Sequence, residues 1–436
     1  VITVENAYGQ LLAEGYIYSI PKSGYYVSDL SGIPVHQTEY TSETYEAEEQ
    51  GTDSRTAKAG DKVLLTGGEN AFIADFTSNQ TEHAAFPFSI WNKTMRAVMN
   101  DYQEEMMINP PCGGVMELRK SISSYLKEFC AMYVRPEQII IGAGTEYLYS
   151  ILIQLLGRNV CYGVENPGYP KIAKIYRSMG VKYEYIDLDE EGTSAKKLEE
   201  KKVDIMHISP SHHFPTGMVM PISKRYELLG WVTREKERYI IEDDYDSELR
   251  LAGKPIPSLQ SIDVSGKVIY INTFAKTLCS TVRISYMVLP EALAEKYYRE
   301  LSFYSCTVSN FEQYTLAAFM NAGAFEKHIN RLRNYYQHKR DLILSTFLRE
   351  PLGKYITISE EDSGVHFLMH VNTSMSEQEF LLKTRAKGIR LATLSSFYNA
   401  EQKDSRYENT YVMNYSFVNC DRLEYVAQTL YKIIHP

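Results

Sequence analysis

Five short runs of this chain are apolar almost from end to end, and they narrow the fold more than any other feature. Gln138–Ile141, Asn159–Val164, Val203–Ile208, Tyr239–Glu242 and Val268–Thr273 each read as a strand with little or no solvent-facing side. Helical patterns stand among them at Glu117–Phe129, Glu146–Leu156 and Lys224–Lys236. Strands buried on both faces point to parallel pairing, because the crossover helices of a parallel sheet cover both sides of it. The expected fold is therefore α/β with a large, mostly parallel sheet. In such folds ligands sit beyond the carboxyl ends of the strands, so chemistry is to be sought in the segments that follow.

Those segments carry unusual residues. After Val268–Thr273 comes FAKTLCSTVR, with Lys276 near the strand end and Arg283 seven residues later. A lysine is most often a wet surface residue; desolvated, its amine can instead form a Schiff base with an aldehyde cofactor. The neighbouring strand runs into EDDYDSE, residues 242–248. That crowding could hold magnesium, but pyridoxal phosphate asks for something narrower: one carboxylate on the pyridine nitrogen and one phenol on O3′. Asp243 and Tyr245, two apart on an extended segment, share a face and suit those tasks.

GAGTEYLYSIL turns from a strand into a helix, so backbone N–H groups of Gly144, Thr145 and Glu146 can receive a phosphate, with Arg283 as a charged clamp. Alone, such a turn is usually only a connection. ENPGYPKI thrusts Tyr169 outward, where its ring could stack on a cofactor. In SPSHHFPTG the adjacent His212 and His213 point to opposite faces and lack a third metal ligand, so no metal site is expected, and contact of His213 with the O3′ side is the better reading.

Composition sets the outer bounds. The 436 residues are 44% hydrophobic and 23% charged, enough for two or three domains with sizeable cores. Six cysteines lie scattered without C-x-x-C pairing, which fits reduced thiols, and no run reaches the length of a membrane span; a cytoplasmic protein is expected. A net charge of −9 disfavours nucleic acid as a partner of the bulk of the chain, so any DNA contact is local. Between Glu39 and Asp53 stand six carboxylates, no Lys or Arg and almost nothing aliphatic, as in a solvated linker.

Ahead of that linker, Val4, Ala7, Tyr8, Leu11 and Leu12 keep helical spacing, and Tyr16–Tyr18, Lys22–Gly24 and Tyr25–Val27 read as strand, turn and strand. With Thr3-Val4, Ala7-Tyr8, Leu11, Glu14-Gly15-Tyr16 and Ser23-Gly24…Val27, residues 1–27 resemble the recognition helix and wing of GntR-type transcription regulators. The expected organisation is a partial winged helix over 1–27, a linker over 28–69, a large domain over 70–310 and a small C-terminal α/β domain over 311–436. On this reading the preceding helices of the winged helix are absent from the chain, and operator DNA is a partner only of the full-length protein.

From about residue 70 onward the motifs resemble those of fold-type I pyridoxal phosphate enzymes, the aspartate aminotransferase superfamily. The closer resemblance is to the MocR/GabR regulators, PdxR-like members included, in which a GntR-type winged helix precedes an aminotransferase-like domain. Phe86-Pro87-Phe88-Ser89-Ile90-Trp91, Glu165-Asn166-Pro167-Gly168-Tyr169-Pro170, Ser211–Gly217, Glu242–Glu248 and Thr273–Leu278 carry that resemblance. It implies Lys276 as the Schiff-base lysine, Asp243 on the pyridine nitrogen, Tyr245 on O3′, Tyr169 on the ring, and Arg283 with Thr145 and Glu146 on the phosphate. It also implies a head-to-tail homodimer and an effector that is pyridoxal phosphate itself or an amino compound. Two positions depart from the pattern: His213 replaces a glutamine, and the last strand, TYVMNYSFV, lacks the arginine that grips a substrate carboxylate, its place falling at Val412 with Arg390 and Arg406 nearby. A working aminotransferase with Lys276 as proton shuttle is the competing reading; it would need that arginine and would not need the wing.

Overall fold

The computed structural model describes residues 7–8, 11–12, 17–20, 23–27, 72–251, 257–362, 364–399 and 407–435. It divides into two units, 1–67 and 68–436. In the first, Ala7-Tyr8 and Leu11-Leu12 are helical, and β1 (Ile17–Ile20) pairs antiparallel with β2 (Gly24–Val27), Ile17 facing Val27. Thr3-Val4, Glu14-Gly15-Tyr16 and the linker at 28–69 lie outside the described residues.

The second unit opens with β3 (Ala74–Asp75) and the helix α1 (Phe88–Asp101), followed by α2 (Met116–Cys130), β4 (Ile139–Gly142), α3 (Thr145–Leu156), β5 (Cys161–Asn166), α4 (Pro170–Ser178) and β6 (Lys182–Asp187). Then come β7 (Ile205–Ile208), α5 (Ile222–Val232), β8 (Tyr239–Asp243), β9 (Val268–Thr273) and β10 (Ser285–Val288). These strands form a seven-stranded sheet in the order β4-β10-β9-β8-β7-β5-β6. All neighbours are parallel except β10, which runs antiparallel between β4 and β9.

Each central strand feeds two cores. Ile139 and Ile141 of β4 pack on one face with Leu118, Ile122 and Phe319, while Ile140 packs on the other with Leu148, Leu152 and Tyr297. Tyr270 of β9 likewise joins the first cluster, and Ile269 and Ile271 the second. That alternation of two buried faces is the physical reason for the unbroken apolar runs. Two strands escape the sequence pattern. β6 alternates because it is the sheet edge and only Ile186 is buried. β10 follows Arg283 in what reads as a strand-end segment, although all four of its residues are buried.

A second, four-stranded antiparallel sheet has the order β11-β12-β15-β14, from β11 (Ile356–Ser359), β12 (His366–Val371), β14 (Ala392–Thr393) and β15 (Thr410–Asn414). Between β12 and β14, β13 (Ile389–Arg390) pairs in parallel with β3, so the chain just before Phe76 packs with this sheet's core. Among the described residues no helix is long and apolar enough to cross a membrane.

One buried ion sets the path of the loops above β7 and β8. Arg225 of α5 has no exposed surface and donates to the carbonyls of Met220 (3.1 Å), Pro210 (2.8 Å) and Pro257 (2.8 Å). Its guanidinium stands 3.8 Å from Glu242, whose oxygens accept the N–H groups of Leu259 (2.8 Å) and Gln260 (2.9 Å). Removing it leaves three carbonyls without their donor and the buried Glu242 without its cation, a class of change that costs about 3–5 kcal/mol. Arg225→Ala is therefore expected to lower the unfolding free energy by that order, seen as a lower denaturant midpoint, with Arg225→Lys recovering little because an ammonium cannot span the fork. An unchanged midpoint in Arg225→Ala would refute this role.

Candidate active site

Asp243 ends β8 with its carboxylate buried. Tyr149 of α3 donates its hydroxyl to Oδ2, and His207 of β7 places Nε2 3.6 Å from the same oxygen. His207 is itself set by Tyr176, 2.8 Å from Nδ1. Oδ1 is buried and has no hydrogen-bond partner among the described residues. A buried carboxylate oxygen left so is costly, and a donor such as a protonated ring nitrogen satisfies it.

Lys276 lies beyond β9, where its ammonium donates to Asn79 Oδ1 at 2.9 Å. Desolvation holds its pKa below the ordinary lysine value, and the Asp246 carboxylate only partly opposes this. An amine so placed is easier to deprotonate into a nucleophile. Tyr245 lies with its hydroxyl 3.2 Å from His212 Nδ1. Burial, followed by the fields of Asp246, Asp243 and Asp244, pushes its phenol well above its usual pKa, so it stays a hydrogen-bond donor.

The N-terminus of α3 forms the other end. Gly144 caps it with φ +91°, and a Cβ there would collide with the Arg283 guanidinium, so the backbone and the cation approach as only glycine allows. Arg283 and Lys171 both pair with the Glu146 carboxylate. Burial raises the Glu146 pKa, but the bonds from Lys171 and Arg283 outweigh it and leave the group below its ordinary value. The side chain of Glu146 thus stands as an internal anion between two cations, a part that reading only its backbone N–H overlooks. Thr145 hydrogen-bonds the Tyr149 hydroxyl, linking this end to Asp243.

Tyr169 caps α4, 44% exposed, with its ring edge-on to Phe214 at 5.9 Å. His213 is buried away from Tyr245: Nδ1 meets Thr216 Oγ1 at 2.7 Å and Nε2 lies 3.5 Å from Glu165. His212 is the histidine beside Tyr245, held by both oxygens of Asp246 at 3.0 and 2.9 Å. Val412 sits in an apolar cluster with Leu368 and Leu394, whereas Asn414, two residues on, donates to Asn79 Oδ1 at 2.6 Å and so joins Lys276 through one shared acceptor. Arg390 is engaged with Asp75 at 3.4 Å and lies over Phe72; Arg406 is outside the described residues. The sequence reading thus missed Tyr149, His207, Asn79 and Asn414, and favoured His213 where His212 stands beside Tyr245. Of these only Tyr149 had a usable signal, four residues along α3 from Thr145.

The chain matches the family model for aminotransferase class I and II over residues 73–406. It is 37% identical over 396 residues to the uncharacterized HTH-type transcriptional regulator YdeL of Bacillus subtilis, covering 91% of this chain and 81% of that one. It is 29% identical over 405 residues to the probable rhizopine catabolism regulatory protein MocR of Rhizobium meliloti, covering 90% and 78%. A kynurenine aminotransferase from Pyrococcus horikoshii superposes with a TM-score of 0.71 at 22% identity, over 84% of this chain and 91% of that one.

Beside His213, burial pushes the Glu165 carboxyl from 4.5 to about 8. Between those values the unfolded chain has released this proton and the folded one retains it, so stability falls as pH rises through the window. Glu165→Gln removes that component. Thermal denaturation from about pH 5 to about pH 8 should therefore show a shallower fall in Tm for the variant than for the parent. Parallel profiles would contradict a protonated Glu165.

Proposed function

The chain belongs to the class I and II aminotransferase family and, within it, to the MocR/PdxR-like HTH-type transcriptional regulators, and from this we propose a regulator whose aminotransferase-like domain holds pyridoxal phosphate on Lys276. The observation that carries the cofactor reading is Asp243 Oδ1, buried at the end of β8 and without a hydrogen-bond partner among the described residues. The residues present fit the group. Asp243 accepts the ring N–H, with Tyr149 and His207 holding the carboxylate in place. Tyr245 donates toward the ring oxygen beside His212, Tyr169 covers a ring face, and Arg283 with the Gly144, Thr145 and Glu146 backbone receives the phosphate. His213 acts from behind, through Thr216 and Glu165. When bound, the cofactor supplies an electrophilic aldehyde carbon and an electron-withdrawing ring. Lys276 supplies the desolvated amine that engages the aldehyde.

Regulation requires that the bound ligand favour one state of the protein over another. Pyridoxal phosphate, or an amino compound that takes the place of Lys276, provides that bias, and operator DNA is the partner that reads it. A homodimer in the cytoplasm is the working form. A catalytic aminotransferase is the second reading, favoured by the intact Lys276 and Asp243 pair, with Lys276 Nζ moving the proton.

Three measurements test these readings. The purified protein should absorb in the visible when loaded with pyridoxal phosphate, and Lys276→Ala should abolish the lysine-linked band; an unchanged spectrum would reject the site. Gly144→Ala should weaken cofactor affinity by about tenfold or more, because it displaces Arg283 at a cost above about 1.4 kcal/mol. Amino-acid turnover with a keto-acid acceptor should be negligible, and steady transamination at ordinary enzyme rates would favour the catalytic reading instead.

A further inference from the structure

We infer that the site around Lys276 selects an amine whose neighbouring polar group is uncharged, an amide or a hydroxyl, over an α-amino acid with a free carboxylate. This rests on the cofactor reading above and names the ligand class that exchanges with Lys276.

The amide orientations follow from the hydrogen-bond network. An ammonium can only donate, so the Asn79 atom facing Lys276 is Oδ1. An amide oxygen can only accept, so Asn414 presents Nδ2 to that oxygen at 2.6 Å, while its own Oδ1 accepts Ser416 N–H at 3.0 Å. Backbone bonds fix the pair: Asn414 N–H donates to Phe76 O at 2.9 Å, and Ser416 Oγ donates to Ser78 O at 3.2 Å. Once the Lys276 amine is engaged elsewhere, a ligand entering here meets two preplaced amides. They offer both donors and an acceptor, which suits a carboxamide or hydroxyl.

Among the described residues a carboxylate finds no comparable partner. Charge-assisted bonds are about twice as strong as neutral ones, and bidentate recognition needs a guanidinium. Val412 is apolar and packed among Leu368 and Leu394, and Arg390 is engaged with Asp75. His366 stands opposite Asn414 in the β12–β15 register. Burial, and then the neighbouring His212, lower its pKa well below the ordinary value, so it brings no positive charge. The charge that acts on Lys276 is the Asp246 carboxylate, which repels a second anion.

The test titrates the cofactor-loaded protein with L-alanine, L-alaninamide and L-alaninol, which differ only at the group in question. They are compared at equal free-amine concentration, because the three amines differ in pKa. The readouts are the absorbance band of the lysine-held cofactor and calorimetric heat. Alaninamide or alaninol should shift the band at concentrations at least about tenfold below alanine, and Asn414→Arg should reverse that order. Alanine acting as well as or better than the neutral analogues would overturn the inference; loss of its advantage in Arg406→Ala would then name the cation responsible. Failure of all three amines to shift an intact band would also overturn it. Failure of the cofactor reading is separate and visible beforehand, as the absence of any band that Lys276→Ala removes.

Discussion

A carboxylate buried at the end of a strand, with one oxygen paired and the other without a partner among the described residues, governs the arrangement around it. Asp243 is tolerated because Tyr149 donates to Oδ2 and His207 stands close by, each anchored on a different element. Tyr149 belongs to α3, whose first residues form the anion-receiving end beside Gly144 and Arg283. One helix therefore ties the position of the Asp243 carboxylate to that of the Gly144–Arg283 end. Four residues along a helix span about 6 Å at 1.5 Å rise each, so the separation is rigid. A loop could supply the same groups but not the same fixed spacing.

The strand ends concentrate acid without concentrating charge to match. Burial pushes Glu242 to about 7, Asp244 to about 6 and Glu248 to about 8, with the field of neighbouring acids adding in each case. Near neutral pH Glu248 is thus largely protonated, Glu242 partly so and Asp244 mostly ionised. Arg225 offsets part of what charge remains, and its three carbonyl contacts tie the loop carrying His212 and His213 to α5. The loop over the site and the acids beneath it thus rest on one guanidinium.

How much of this the sequence reveals depends on whether a signal is local. The two-sided burial of β4, β8 and β9 writes itself as unbroken apolar runs, and Lys276, Asp243, Tyr245 and Arg283 follow those runs at short distances, so the fold and these strand-end positions are legible. The histidine pair is only half legible. Alternation says that His212 and His213 diverge, but which one meets Tyr245 depends on Asp246 and Thr216, each placed by the fold. The last strand is the least legible, since Val412 and Asn414 share a face and only the crossing of residues 76–79 beside β15 decides that Asn414 reaches the lysine. Asn79 itself carries no periodic or motif signal; it matters because a segment nearly two hundred residues earlier, |i−j| = 197, returns to the site.

The two ends of the site differ in what they do with an anion. At the α3 end, Lys171 and Arg283 already share the Glu146 carboxylate, so a phosphate bound there would exchange with an internal anion and gain only a difference, not the full strength of a charged clamp. At the Lys276 end the partners are amides, a neutral histidine and the Asp246 carboxylate. Among the described residues the cations other than Lys276 thus stand at the helix end, around the Glu146 carboxylate. A ligand with a phosphate would find its cations, among the described residues, at the first end. A ligand that also brought a carboxylate to the second would meet there, besides Lys276, only neutral amides, a neutral histidine and an acid among the described residues.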